Sequence, residues 1–253
     1  MLQVKYLGET PNDSGYHLVS GFGILTLYAE IGTKEGEMTM EMNELANLIM
    51  TRRSIRKWQD RIVPEGLLLQ AIELATWAPN AGNQQNWHFY VIINRQTIQA
   101  MADAVQASSD LVNSWPEAEK YGLTPGARPA GFFRSAPAVI AIASSVYQTP
   151  LSRVLEARAK TDSQARNINK WRNIADSRVQ SAAAATAYLV LILHEMGLGT
   201  VWMTGPMQAK KELEKILHIP AEFDLLLLLP VGYPEETPTK DRKPFNEMYE
   251  VVR

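Results

Sequence analysis

Three arginines fall within five residues in Thr51-Arg52-Arg53-Ser54-Ile55-Arg56, and Pro79-Asn80-Ala81-Gly82-Asn83-Gln84-Gln85-Asn86-Trp87 follows further along the chain. On a helix, Arg52 and Arg56 are four positions apart and share a face, so two guanidinium forks and the Ser54 hydroxyl can converge on one anion. Phosphate is the natural ligand. Arginine donates planar pairs of hydrogen bonds that match phosphate oxygens, and a helix start adds free N–H groups and a positive dipole end. Taken alone, the cluster also describes a solvated basic helix face. Pro79-Asn80-Ala81-Gly82 is in its own right a helix-ending turn.

Other chemistries find no residues to carry them. His17, His88, His194 and His218 lack metal-ligand spacing, and a lone histidine among apolar neighbours is usually structural. There is no G-x-S-x-G elbow and no phosphate-cradling G-x-x-x-x-G-K-S/T loop. Gly21-Phe22-Gly23 and Gly197-Leu198-Gly199 lack the third glycine of a dinucleotide fingerprint, so no dedicated dinucleotide domain is expected. The absence of cysteine excludes disulfides, thiolate metal sites and a cysteine nucleophile. Charge is balanced, 25 Lys plus Arg against 27 Asp plus Glu, so no broad basic surface argues for nucleic acid or anionic membrane. The longest apolar run, Leu225 to Leu229, is strand-sized, and no secretory signal is read at the start; cytoplasm is the expected location.

The chain is long enough for one substantial core. Residues 1 to 37 show no sustained period and end at a cluster of methionines, Met38, Met40 and Met42; they are expected to be an extension to a domain spanning 38 to 253. From Asn43, Leu45, Leu48 and Ile49 suit an amphipathic helix ending near the arginines. Pro64-Glu65 opens a second helix with Leu68, Ile72 and Ala75 on its apolar face. Trp87 to Ile93, Ala138 to Ser144 and Leu225 to Val231 read as strands. Gln96 to Ala107 and Gln208 to Leu217 read as helices. Ser108 to Pro137 reads as an irregular, aromatic-bearing lid, and Leu151 to Trp171 as a polar, helix-permissive insertion. Asp176 to Met196 is an alanine-rich helix, apolar all round and therefore expected to be central, stopped by Gly197.

The two motifs, in this order and spacing, resemble the FMN-dependent nitroreductase family, whose members carry R-R-S-x-R near the domain start and P-S-x-x-N-x-Q-x-W after it. The likeness runs from about Glu44 to Val252. It implies an α+β fold, a three-layer α/β/α sandwich with a mixed, mainly antiparallel sheet, built as an intertwined homodimer with FMN at the subunit interface. It assigns Arg52, Arg53, Ser54 and Arg56 to the ribityl phosphate and the pyrimidine side of the flavin. Pro79, Asn80, Ala81 and Asn83 would come from the partner subunit against the isoalloxazine, with Asn80 where the family most often has serine. Gln85 and Trp87 match the pattern, Trp87 as core packing. Trp202 and Met203 would line the ring, the N–H of Thr204 or Gly205 would lie near flavin N5, and Arg242 would return to the phosphate, with Lys240 as a second contact. The tail, Met248 to Val252, would extend the partner's sheet.

The function so implied is oxidation of NAD(P)H, a transient co-substrate, and reduction of a small-molecule acceptor such as a nitroaromatic or quinone. The cofactor carries the reaction, so no side chain is assigned as general acid or base, and no metal site is expected. Two alternatives stand beside it. One is reductive dehalogenation of the iodotyrosine deiodinase type, suggested by Glu117 and Tyr121 but lacking a lysine to complete the grip on an amino acid zwitterion. The other is a flavin-binding protein without turnover.

Overall fold

The computed structural model describes residues 36–123, 129–146 and 148–253, with backbone alone over 36–42. The expected extension lies outside the described residues except for Gly36 and Glu37, which are helical. Helix α1 spans Gly36–Thr51, so it begins well before Asn43. The chain up to Met50 is a unit of its own, and Thr51–Arg253 is a second compact unit that holds every strand described.

Four strands build its sheet: β1 (Trp87–Ile92), β2 (Ala138–Ser145), β3 (Gly199–Thr200) and β4 (Phe223–Gly232), in the order β1-β2-β4-β3. Each neighbouring pair is antiparallel, and the parallel component is a single bridge between Ser54 and Thr200. Strand β2 is buried almost throughout because both its faces are covered. Its side chains alternate strictly: Val139 and Ala141 enter one core, Ala138, Ile140 and Ile142 the other. Strand β4 keeps that alternation around a bulge. Ile142 faces Leu227 and Ala143 faces Leu225, so Leu226 is the extra residue.

Helix α2 (Glu65–Ala75) and helix α7 (Ser177–Glu195) cover one face, burying Leu68, Ala71 and Ala75 with Ala182, Leu189, Val190 and Leu193. Helix α3 (Arg95–Asn113) and helix α8 (Lys210–Ile216) cover the other through Ile98, Met101, Ala102, Val105 and Leu213. The result is the expected three-layer sandwich. Asn94 caps α3 by accepting from Thr97 N–H, and Asp176 caps α7 by accepting from Arg178 and Val179 N–H. Gly197, at φ 76°, ends α7 in the left-handed conformation that glycine adopts without steric cost.

Three expectations change. The stretch from Ser108 is not wholly irregular: α3 continues to Asn113, a short helix α4 spans Pro116–Lys120, and Phe133 is fully buried in the core. The insertion forms a helical hairpin, α5 (Pro150–Arg158) and α6 (Ser163–Ile174), capped by Thr149 and Asp162. Helix α7 is buried on one face only. On the other, Ala187 and Tyr188 are exposed and Ala184 and Leu191 half-buried, an apolar stripe at helical spacing that the described residues leave uncovered.

Candidate functional site

The arginine segment is not helical. Helix α1 stops at Thr51, and the chain beyond it is laced between β3 and the strand that leaves β4. Ile55 N–H donates to Thr200 O at 2.8 Å, and the Trp58 indole N–H donates to Gly199 O at 3.0 Å. On the other side Gln59 N–H donates to Tyr233 O (2.9 Å) and Glu235 N–H to Lys57 O (3.0 Å). The helical convergence of Arg52 and Arg56, and the helix start behind them, are therefore replaced by an edge segment. Its inward residue decides this: Ile55 is buried against Gly199, where an added Cβ would lie 2.6 Å from Ile55 Cγ1. Only glycine at this position leaves room for the Ile55 side chain. Arg52, Arg53, Ser54 and Arg56 are all half-buried along this segment.

The cations nevertheless meet. Burial, then the neighbouring charge of Arg242, then that of Arg53, hold the Arg52 guanidinium below its ordinary pKa. Arg242 thus shares a neighbourhood with residues far earlier in the chain. Among the described residues neither Arg52 nor Arg242 forms an ion pair with a carboxylate; the ion pairs found lie elsewhere, as in Arg178–Asp224–Lys210. Folding has gathered like charges, which repel until an anion joins them.

Two residues at this place escaped the sequence reading. His194, in the last turn of α7, has Nε2 3.0 Å from Thr51 Oγ1. Burial first, then the charge of Arg52, lower its pKa, against an opposing pull from Glu195. Glu236 accepts with Oε1 from the backbone N–H groups of Arg56 (2.5 Å) and Lys57 (3.2 Å). His194 had no partner in its own stretch to signal it, and Glu236 stands 180 residues from Arg56.

The second motif is a tight turn. A 3-10 turn covers Ala81–Asn83, with Gly82, Asn83 and Gln85 at positive φ. Asn80 spends its carbonyl oxygen on the turn itself, accepting from Gln85 N–H at 3.0 Å, so that acceptor is already engaged. Ala81 N–H donates to Ser181 Oγ at 3.1 Å, which ties the turn to the first part of α7. Pro79 and Asn83 are exposed, and Trp87 is buried as expected.

In the third element, Met203 exchanges hydrogen bonds with Leu228 across the edge of β4 (2.9 and 3.0 Å). This pins the stretch after β3 to the sheet and leaves the Trp202 side chain 38% exposed. Thr204 precedes a 3-10 turn over Gly205–Ala209, and among the described residues no acceptor is found for the N–H of either Thr204 or Gly205. Such N–H groups at a helical start are ready donors.

The structure thus brings Arg52, Arg53 and Arg242 together at the C-terminal end of α7, beside His194. It does not bring Pro79–Asn83 to them. Ser181 and His194 are 13 positions apart on one helix, about 20 Å at 1.5 Å per residue. An open depression of about 560 Å³ on the α5–α6 hairpin is lined by Ala159, Arg166, Asn169, Lys170, Asn173 and Ile174, none of them a candidate. No group of metal-ligating side chains is found among the described residues, and none of their helices is long and apolar enough to cross a membrane.

A three-layer sandwich with this edge-bound arginine segment defines a nitroreductase-type oxidoreductase fold, and the comparisons agree. The Nitroreductase family model matches residues 49–233, and the chain belongs to that family. A putative NADH dehydrogenase/NAD(P)H nitroreductase of Methanothermobacter thermautotrophicus is 29% identical over 204 residues, 78% of this chain and 82% of that protein. An iodotyrosine deiodinase of Thermotoga neapolitana is 25% identical, over 82% of this chain and 96% of its own. Among solved structures, a BluB-like flavoprotein from Clostridium difficile 630 superposes with a TM-score of 0.71 at 25% identity, over 83% of this chain and 99% of its own. The chain is accordingly an oxidoreductase of the Nitroreductase family.

Proposed function

We propose that this oxidoreductase binds FMN and uses it to oxidise NAD(P)H and reduce a nitroaromatic, quinone or similar acceptor. The observation that carries the reading is the gathering of Arg52, Arg53 and Arg242 without a carboxylate to neutralise Arg52 or Arg242, a site that fits a phosphate dianion. Arg52, Arg53, Ser54 and Arg56 hold the phosphate and the pyrimidine side, and Arg242 closes on the phosphate from the C-terminal arm. Trp202 and Met203 wall the ring, and the N–H of Thr204 or Gly205 donates toward its N5. Bound there, FMN would supply the hydride exchange between NAD(P)H and the acceptor; the chain supplies binding, charge and exclusion of water. Cations at the pyrimidine side favour the anionic reduced ring. NAD(P)H and acceptor occupy one pocket in turn, because the described residues form no dinucleotide domain to hold the first.

The site is completed by a second copy of the chain. The turn Pro79–Asn83 lies at the wrong end of α7 to serve the cations of its own protomer, and the uncovered stripe Ala184–Ala187–Tyr188–Leu191 is the surface on which a two-fold partner packs. The exposed tail residues Phe245, Met248, Tyr249, Val251 and Val252 reach across to it.

The test is direct. Purified protein shows a flavin spectrum, and the released chromophore has the mass of FMN. In anaerobic stopped flow, NAD(P)H bleaches it and a nitroaromatic restores the colour. Folded protein that is colourless and takes up no added FMN overturns the reading; bound flavin inert to both substrates leaves a binding protein. A dehalogenase reading draws on Glu117 in α4 and Tyr121 at its C-terminal cap, one turn apart with Tyr121 N–H donating to Glu117 O at 3.0 Å. Faster reoxidation of reduced protein by 3-iodotyrosine than by nitroaromatic favours it.

A further inference from the structure

The chain that leaves β4 is fastened to the arginine segment before it reaches Arg242. Trp58 bridges Pro234, Glu235 N–H donates to Lys57 O, and the Glu236 carboxylate then takes two consecutive N–H groups, those of Arg56 and Lys57, on the single oxygen Oε1. Hydrogen bonds to an ionised acceptor are about twice as strong as neutral ones. Among the described residues Glu236 forms no ion pair with a basic side chain, even though Lys57, Arg56 and Lys240 are its neighbours in sequence or space. Its carboxylate is spent on backbone, and six residues further on the same arm carries Arg242.

Resting on the reading of the arginines as a phosphate cradle, we propose that Glu236 is a positioning residue for the flavin phosphate. It clamps the segment bearing Arg52 and Arg56 to the arm bearing Arg242 and so fixes how far apart the guanidinium groups stand. Apart from the Gln59 side-chain amide, which donates to Pro234 O at 3.0 Å, the other hydrogen bonds between segment and arm join backbone to backbone and survive a change of side chain. The Glu236 bonds do not, and they are the last described between the two before Arg242. Positioning and charge make opposite demands here. Removing a carboxylate beside arginines would by Coulomb's law tighten the hold on a phosphate dianion, whereas loosening the clamp weakens it.

The experiment titrates the full-length chain, freed of flavin, with FMN and with riboflavin, which lacks the phosphate. The parent binds FMN far more tightly than riboflavin. Glu236→Ala lowers FMN affinity about tenfold and leaves riboflavin unchanged. Glu236→Gln, which loses the charge but keeps an acceptor oxygen, binds FMN at least as well as the parent to within about threefold. In an Arg242→Ala background the Glu236→Ala effect shrinks, since the clamp then has less to position. Should Glu236→Ala not fold, Glu236→Asp takes its place, because its shorter side chain draws the oxygen away from both N–H groups. Tighter FMN binding by the alanine variant, an unchanged FMN-to-riboflavin ratio, or an equal loss for both flavins overturns the assignment. A parent that does not distinguish FMN from riboflavin instead overturns the phosphate cradle beneath it.

Discussion

The two ends of helix α7 make unlike demands on the chain. At its C-terminal end the segment that carries the cations is held mainly by backbone, Ile55 on Thr200, Gln59 on Tyr233 and Lys57 on Glu235, with the Trp58 indole on Gly199. At its N-terminal end the Pro79–Gln85 turn is held largely by side chains, with Asn80 accepting from Gln85 N–H and Ala81 N–H donating to Ser181 of α7. The cation end is assembled within one protomer, and among the described residues neither Arg52 nor Arg242 forms an ion pair there. The turn end is closed by its own hydrogen bonds and leaves Pro79 and Asn83 exposed. On the reading proposed above, one end of the helix would grip charge and the other would offer a wall for a ring.

The largest effect comes from separating the two ends that should meet across a dimer. Ala187→Glu with Tyr188→Glu places four carboxylates across a two-fold interface and should weaken self-association by several kcal/mol. Sedimentation would show monomers, with flavin lost alongside; a dimer that persists places the interface elsewhere. Next, Arg52→Ala or Arg242→Ala removes a charge-assisted contact worth about 1.5 to 3 kcal/mol, a loss of roughly 10- to 150-fold in FMN affinity. Riboflavin binding should barely change. Ser181→Ala, at the other end, leaves Ala81 N–H without its acceptor and costs about 1 kcal/mol; it should weaken FMN and riboflavin alike, and unequal losses would erase the distinction drawn between the ends.

The smallest effects are in pH. Near the turn end, Lys210 and then Arg178 hold the Asp224 carboxyl below its ordinary range. A depressed carboxyl stabilises the fold above its unfolded pKa of about 3.9, and that stability is lost as pH falls through the lower folded value. At the cation end His194 is depressed too, by burial and by Arg52. The unfolded chain then takes up the proton first, so stability declines as pH falls below about 6.5 and levels off once the folded imidazole also titrates. Urea denaturation from pH 7 to pH 3 should show both slopes, the upper abolished by His194→Gln and the lower by Asp224→Asn. An unchanged upper slope in His194→Gln would remove the histidine from this account.

Much of the sandwich could be read from the chain, because apolar period states which residues face inward. Trp87–Ile92, Ala138–Ser145 and the Leu-rich β4 lie where alternation and apolar runs place them, and Asp176 and Gly197 bracket α7 as a capping residue and a glycine stop should. Local chemistry misled at the arginines. Thr51 to Arg56 has acceptable helix spacing, but the hydrogen bonds to Thr200 and the fit of Ile55 over Gly199 are long-range and outweigh it. The same blindness hid His194 and Glu236, whose partners are 143 and 180 positions away. For α7 the composition was right and the inference incomplete: an all-apolar helix asks for burial on every side, and a single chain covers only one.

One further property lies in the margins of the sheet. Past β3, the Ser54–Trp58 segment occupies the rim through its bonds to Thr200 and Gly199, whereas β1 meets only β2 among the described strands. A ribbon with both rims bare is a template for endless stacking. With one rim sealed, any strand that joins this sheet joins at Trp87–Ile92, and two such sheets laid rim to rim have nowhere left to grow. In the proposed dimer, the segment that carries the arginines would thereby also make assembly self-limiting.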